Sequence, residues 1–100
     1  MHRSQLGGFI IDCNTDDLDA SVRFWSVALG LEATSTKNPE DANYARFARD
    51  PNGLDIEVQK VEHESRVHLD IETDDFEAEA ARLEKLGAKR VRKIRDWLVM

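Results

Sequence analysis

The sequence from residue 9 to residue 17 reads Phe9-Ile10-Ile11-Asp12-Cys13-Asn14-Thr15-Asp16-Asp17, and it indicates the fold because the chain repeats it. Fifty-eight positions later the chain reads Val67-His68-Leu69-Asp70-Ile71-Glu72-Thr73-Asp74-Asp75, with Asp, Thr, Asp and Asp identical at matching places. The segments that follow both stretches also correspond, since Leu29-Gly30 matches Leu86-Gly87. We conclude that one structural unit is used twice.

Each copy of the repeat predicts a strand, an Asp-rich cap and an amphipathic helix. The first helix is predicted to bury one stripe, made of Leu18, Val22, Trp25 and Leu29, and to end at Gly30. The second is predicted over 75–86, with a buried stripe made of Phe76, Ala80 and Leu83, a capping box formed by Asp74 and Glu77, and an end at Gly87.

Three short strand-like runs follow the first helix, around Glu32–Thr36, Asn43–Arg49 and Leu54–Val61. The last two runs are joined by Asp50-Pro51-Asn52-Gly53, in which Pro presets φ and both Asn and Gly tolerate a positive φ. The first module is therefore predicted to be β-α-β-β-β over about residues 6–61.

The second module is partial, over about residues 67–100. It supplies a strand at 67–73, the second helix, a strand at 89–94 and the start of another strand at Trp97. Its remaining strands would need residues beyond Met100, and the origin of this truncation is left open. We expect an α+β fold with two β-α-β-β-β modules, the second incomplete, in a single domain over residues 1–100.

The local motifs resemble those of the vicinal oxygen chelate superfamily, which includes glyoxalase I, bleomycin-resistance proteins and extradiol dioxygenases. The first helix carries Asp17-Leu18-Asp19-Ala20-Ser21, then Phe24-Trp25 and Leu29-Gly30-Leu31, similar to the family's D-L-x-x-S…F-Y…L-G-(L/F) pattern. Asp50-Pro51-Asn52-Gly53 is similar to its D-P-x-G hairpin, and His68-Leu69-Asp70-Ile71 looks like the opening strand of its second module. The closest resemblance is to glyoxalase-like proteins.

The resemblance implies a cup in which inward side chains of each sheet surround a ligand cavity, with the helices outside. Strand alternation then assigns Ile56 and Val58, and likewise Val67, Leu69 and Ile71, to the helix side. The candidate ligand-binding residues on the other side are Asp12, Arg46, Asp55, Glu57, Gln59, His68 and Asp70. The alternative interpretation is that these polar side chains only solvate one face of an ordinary sheet.

Metal-dependent members of the superfamily place four ligands in the cup, on the first and last strands of each module. Glu57 and His68 match two of these positions, but Ile10 occupies a third and the fourth would lie beyond Met100. Because a divalent catalytic site needs at least three protein ligands, we expect no resident cofactor, with a divalent metal as the alternative.

The composition narrows the list of partners. The chain has 20 acidic and 14 basic residues, and its formal net charge is −6. Six basic residues lie between Lys85 and Arg95, so residues 1–84 carry 19 acidic and eight basic side chains and would repel nucleic acid. No apolar run approaches the length of a membrane span, and the polar start does not resemble a signal peptide, so we expect a cytoplasmic protein with neither membrane nor nucleic acid as a partner.

The leading functional hypothesis is a protein that binds a small, cationic organic molecule in an acidic cavity, as bleomycin-resistance proteins sequester their drugs. The alternative is an enzyme, either a metal-dependent lyase or isomerase of the glyoxalase I type or a dioxygenase, and the sequence leaves open whether any reaction is catalysed and on which ligand. A third hypothesis is a protein whose main role is to pair with another chain, since the partial second module exposes strand edges. For this reason we expect a homodimer.

Overall fold

The computed structural model describes residues 2–34, 42–48, 50–94 and 97–100. The elements in chain order are β1 (Ser4–Cys13), α1 (Leu18–Leu29), β2 (Ala33–Thr34), β3 (Tyr44–Phe47), β4 (Asp55–Lys60), β5 (Arg66–Thr73), α2 (Phe76–Lys85), β6 (Arg92–Ile94) and β7 (Trp97–Val99). This order confirms the α+β class. The ends of two predicted strands, residues 35–36 and residue 49, lie outside the described residues.

Five strands form one mixed sheet in the order β2-β3-β4-β1-β5. Strands β1 and β4 are parallel, whereas β3 is antiparallel to both β2 and β4. Strands β6 and β7 form a separate antiparallel pair. The chain divides into two compact units, residues 6–71 (the large unit) and residues 1–5 together with residues 72–100 (the small unit). In the described part of the chain, no helix is long and apolar enough to cross a membrane.

The core of the large unit lies between the sheet and α1. Its buried members are Ile11, Phe47, Ile56 and Val58, and the partly buried side chains around them include Leu18, Val22 and Trp25. The alternation of β1 and β4 therefore places Ile11, Ile56 and Val58 toward the helix, as the sequence predicts, whereas Ile10 lies on the opposite face beside Glu57. The polar side chains of the same strands are left on the opposite face.

Helix α1 begins and ends at the residues that the sequence indicates. The Asp17 side chain accepts a hydrogen bond from the Ala20 backbone N–H, and Gly30 adopts a left-handed conformation with φ of 69°. The prediction for Leu29 is wrong, because its side chain is 39% exposed. The chain turns at Gly30, and Leu31 packs against the core in its place.

The tetrapeptide Asp50-Pro51-Asn52-Gly53 forms the predicted turn. One carboxylate oxygen of Asp50 accepts hydrogen bonds from the backbone N–H groups of Asn52 (3.1 Å) and Leu54 (2.8 Å). Gly53 has a φ of 81°, which an L-residue rarely adopts. The turn sets the start of β4 and hence the position of Asp55.

Helix α2 is capped one residue later than predicted. Its N-cap is Asp75, whose side chain accepts from the Ala78 N–H, while Asp74 accepts from the backbone N–H of Arg3. The predicted capping box of Asp74 and Glu77 is therefore wrong. The Asp75 N–H also bonds the Thr73 hydroxyl, as the Asp17 N–H bonds that of Thr15, so both copies of the repeat build the same loop.

The apolar row of β5 is not covered. Val67, Leu69 and Ile71 were expected to pack against the helices, but they are 57%, 67% and 46% exposed. Strand alternation predicted correctly that these three side chains share a face. Whether a face is covered depends on packing that no local pattern encodes.

Candidate ligand-binding site

Two rows of side chains cross the face of the sheet that lies opposite α1. Strand register places Glu57 beside Arg46 of β3 and beside Ile10 of β1. In the next row, Gln59 lies beside Tyr44 of β3 and Asp12 of β1, and its amide donates to the Tyr44 hydroxyl at 2.8 Å. All of these residues belong to the large unit.

Asp12 is the most buried carboxylate of this face, and it contacts His68. The Asp12 side chain is 2% exposed, and its Oδ2 accepts a hydrogen bond from Nδ1 of His68 at 2.9 Å. Because an ionised carboxylate can only accept, the proton of this bond belongs to His68 Nδ1. The contact orients the imidazole and leaves its Nε2 as the atom that can bind or accept a proton.

Two residues that were not among the sequence candidates also approach Asp12. The Nε of Arg66 and the Nε2 of His63 lie 3.8 and 4.0 Å from Asp12 Oδ2. Arg66 lies two residues before His68, so strand alternation places both side chains on the same face and could have identified Arg66 as a candidate. His63 lies outside the strands, so only the folded chain brings it to Asp12.

The second oxygen of Asp12 has no hydrogen-bond partner in the described part of the chain. Oδ1 is buried and makes no hydrogen bond with any described residue, and the same holds for Oδ1 of Asp55. A buried oxygen left without a donor costs about 1–3 kcal/mol. Each of these oxygens is therefore an acceptor that a donor from a bound molecule would satisfy.

Arg46, Asp55 and Glu57 form a second group on the same face. The guanidinium Nε of Arg46 lies 3.3 Å from Glu57 Oε1 and 3.8 Å from Asp55 Oδ1. The pKa of Glu57 is raised, chiefly because burial disfavours the charged form and also because Asp55 repels a second negative charge. Arg46 opposes this rise by its charge and hydrogen bond.

Asp70 connects the two groups. Its Oδ1 lies 3.9 Å from Nε2 of His68, and its charge contributes to the raised pKa of Glu57. The two groups are therefore close enough to interact, and we call them together the acidic face: Asp12, Arg46, Asp55, Glu57, Gln59, Arg66, His68 and Asp70. The sequence candidates all lie on this face.

The residues present do not fit the metal centre of the superfamily. Within the described residues, no group of three or more His, Cys, Asp or Glu side chains is arranged to hold a metal ion. Of the two matching positions, Glu57 is paired with Arg46 and has the hydrocarbon side chain of Ile10 beside it. His68 has its Nδ1 bound to Asp12. A catalytic divalent ion needs a third protein ligand that these positions do not supply.

The family follows from comparison with known sequence families. Residues 8–100 match the family model described as a glyoxalase-like domain. The chain belongs to this family. The glyoxalase-like domain is a member of the vicinal oxygen chelate superfamily, so the resemblance seen in the local motifs is confirmed. No curated protein is similar enough to this chain to count as a match.

Membership of the glyoxalase-like family also accounts for the repeated unit. The match begins at Gly8 in β1 and extends over both copies of the repeat. Family membership by itself assigns neither a ligand nor a reaction to this glyoxalase-like chain, because one fold carries many functions.

Proposed function

We propose that this glyoxalase-like chain binds a small, cationic organic molecule on its acidic face, without a resident catalytic metal. The observation that carries the proposal is Asp12, a 2% exposed carboxylate with one oxygen held by His68 and the other without a donor. An ammonium or guanidinium group supplies N–H donors and a positive charge to such an oxygen.

The charge of the face favours a cation. Four carboxylates (Asp12, Asp55, Glu57 and Asp70) lie among two guanidinium groups (Arg46 and Arg66), so the face is negative when the histidines are neutral. Burial is the first cause of the raised pKa of Glu57 and repulsion from Asp55 is the second, so part of this rise reflects the negative charge of the face. A bound cation would relieve this repulsion.

Access to Asp12 requires the surrounding side chains to move. His63 and Arg66 have side chains that are 45% and 67% exposed, and His68 is 41% exposed. Exposed side chains change rotamer at little cost, on the nanosecond timescale or faster. We expect rotamer changes in these three side chains to open Asp12 to a ligand without disturbing the sheet.

The metal-dependent lyase, isomerase or dioxygenase is the weaker candidate, because no group of three His, Cys, Asp or Glu side chains among the described residues is arranged to hold a metal ion. Sequestration of a molecule, as in bleomycin-resistance proteins, needs only the acceptors and the charge that this face provides. A cavity around the face and a cytoplasmic location remain predictions.

A matched pair of probes tests the proposal. Benzylammonium and benzoate have similar size and opposite charge, and their binding can be followed by amide shifts of Asp12, Glu57 and His68 in two-dimensional NMR. We expect benzylammonium to shift these amides and benzoate to leave them unchanged. Asp12→Asn should weaken the response about tenfold or more, since it removes the charge that the cation meets.

The control is Asp16→Asn, which removes an exposed carboxylate outside the acidic face. This variant should bind benzylammonium like the original protein. Stronger binding of benzoate than of benzylammonium would contradict the proposal. An equal loss of benzylammonium binding in Asp12→Asn and Asp16→Asn would also contradict it.

A further inference from the structure

The acidic face has two buried carboxylate oxygens that lack a hydrogen-bond donor, and they belong to different side chains. Oδ1 of Asp12 and Oδ1 of Asp55 are both buried, and neither accepts a hydrogen bond from any residue that the structure describes. The Asp12 side chain is 2% exposed and the Asp55 side chain is 27% exposed. A ligand that satisfied only one of these oxygens would leave the other buried without a donor, which is unfavourable.

The two arginines of the face do not supply the missing donors. Nε of Arg46 lies 3.8 Å from Asp55 Oδ1, beyond hydrogen-bond distance, and its closer contact is with Glu57 at 3.3 Å. Nε of Arg66 lies 3.8 Å from Oδ2 of Asp12, which is not the oxygen that lacks a donor. Both Oδ1 atoms therefore remain acceptors for N–H groups of a ligand.

Strand register gives the spacing of the two aspartates. Strands β1 and β4 are parallel, and Gly8 of β1 lies opposite Asp55 of β4. Asp12 follows Gly8 by four residues along β1, which corresponds to about 13 Å. With about 4.8 Å between neighbouring strands, the Cα atoms of Asp12 and Asp55 are about 14 Å apart. Both residues belong to the large unit, so the spacing depends on this unit alone.

This spacing requires two separate cationic groups. Side chains of a strand stand roughly perpendicular to the sheet, so the carboxylates of Asp12 and Asp55 keep most of the distance between their Cα atoms. A hydrogen bond from nitrogen to oxygen is only about 2.7–3.2 Å long, so one ammonium group cannot reach both carboxylates. A ligand that satisfies both oxygens must carry a donor at each of two distant points.

The charge of the face also matches two cations. Four carboxylates and two guanidinium groups give the face a formal charge of −2 when its histidines are neutral. One negative charge belongs to the Asp55 end, which has two carboxylates and Arg46. The other belongs to the Asp12 end, which has two carboxylates and Arg66. Each end can therefore accept one positive charge before the face is neutral.

We propose that the ligand of the acidic face is an extended dication, a linear diamine or polyamine with one ammonium group at Asp12 and another at Asp55. This inference rests on the proposed function, because it specifies which cation the acidic face binds. Glu57 lies between the two ends in the strand register, opposite Ile10 of β1. Its carboxylate is therefore placed to accept from an ammonium group within the chain of a polyamine.

Titration calorimetry with a diamine and the amino alcohol of the same length tests the proposal. Bond lengths of about 1.5 Å give extended 1,10-diaminodecane a nitrogen–nitrogen distance of about 14 Å, enough to reach both ends. The matched probe, 10-aminodecan-1-ol, has nearly the same length and only one ammonium group. We expect the diamine to bind at least about tenfold more tightly, with one molecule per chain, because its second ammonium group binds at a high effective concentration.

A short pair of probes controls for simple charge attraction. The dication 1,4-diaminobutane has the same charge as the long diamine but cannot reach from Asp12 to Asp55. Its advantage over 4-aminobutan-1-ol should therefore be clearly smaller than the advantage within the long pair. This comparison uses the unaltered protein, so it decides the proposal even if a variant fails to fold.

Two substitutions test the two ends separately. Asp12→Asn and Asp55→Asn each remove one charge and should each abolish most of the tenfold advantage of 1,10-diaminodecane over 10-aminodecan-1-ol. Asp16→Asn, outside the acidic face, should retain this advantage. Thermal melts check that the variants are folded, and Asp55 is the more exposed of the two positions.

Three results would overturn the proposal: equal advantages in the long and short pairs, an advantage of the long diamine that survives in both variants, or two diamine molecules per chain. If benzylammonium and 10-aminodecan-1-ol bind at Asp12 and the long diamine binds no more tightly, only the extended dication is wrong. If no amine binds, the proposed function is wrong as well. The two proposals are therefore distinguished by the same set of titrations.

Discussion

At the residue scale, the charge of the acidic face depends on how far neighbouring side chains neutralise each carboxylate. Glu57 is the clearest case, because its side chain is 16% exposed and has Arg46 on one side and Asp55 and Asp70 on the other. Burial and the two carboxylates raise its pKa more than Arg46 lowers it. An ionised Glu57 is therefore a cost to the folded state that a bound cation can offset.

The first prediction concerns Glu57→Gln. The folded protein holds the Glu57 proton more tightly than the unfolded chain does, so the free energy of unfolding falls as pH rises from the ordinary value of this pKa through the raised one. Glutamine has no such transition and can still accept from Arg46. Urea unfolding at several pH values from 4 to 7 should show the variant gaining stability relative to the original protein as pH rises. If the free energies of unfolding of the two proteins change in parallel with pH, the charge of Glu57 does not destabilise the folded state.

At the element scale, the carboxylate of Glu79 stabilises α2, although no sequence pattern marked this residue as a candidate. The Glu79 side chain is 5% exposed and forms two hydrogen bonds with Arg82, at 2.6 and 2.8 Å, and a third with His2 at 3.1 Å. These contacts lie within the small unit. The hydrogen bond from Arg82, followed by that from His2, lowers the pKa of Glu79 to about 2.

The second prediction follows from this lowered pKa. The stabilisation is fully present above the unfolded pKa of Glu79 and is lost as pH falls toward about 2, because the folded chain then takes up a proton at the expense of the Arg82 contact. Thermal melts between pH 5 and pH 2.5 should show a smaller decrease in Tm for Glu79→Gln than for the original protein. Glu32→Gln, at an exposed residue, serves as the control and should follow the original protein. If the two variants behave alike, the Glu79 contacts contribute nothing to this pH dependence.

At the scale of the whole molecule, Glu57 and His68 are the potential ligands at superfamily positions, and no group of three His, Cys, Asp or Glu side chains in the described part of the chain is arranged to hold a metal ion. The side chain at one further position, Ile10, is a buried hydrocarbon beside Glu57. Two ligands that are already engaged with Arg46 and Asp12 hold a divalent ion weakly.

The third prediction is therefore about metal content. After incubation with nickel, zinc or iron and removal of free ion, elemental analysis should find well below one ion per chain. His68→Ala and the control His63→Ala should give the same low value. A stoichiometric ion that is lost in His68→Ala but kept in His63→Ala would contradict the binding function and would favour the metal-dependent enzyme.

Local sequence patterns were enough to predict the repeated unit, the mixed class, both helices and the assignment of faces along β1, β3 and β4. These features depend on local chemistry: aspartate caps, glycine at helix ends, the turn at Asp50, and an alternation with a period of two. For the same reason the candidates Asp55, Glu57 and Gln59 could be assigned to one face before any contact was known. The shift from Asp74 to Asp75 as N-cap shows the limit of such patterns, since adjacent carboxylates compete for one position.

Which of these side chains meet depends on the tertiary structure. Asp12 and His68 are 56 positions apart, and their contact depends on the placement of β5 beside β1, which no local pattern specifies. His63 reaches Asp12 from outside the strands for the same reason. The exposure of Val67, Leu69 and Ile71 was also undetermined, because alternation tells which side chains share a face but not whether anything packs on it.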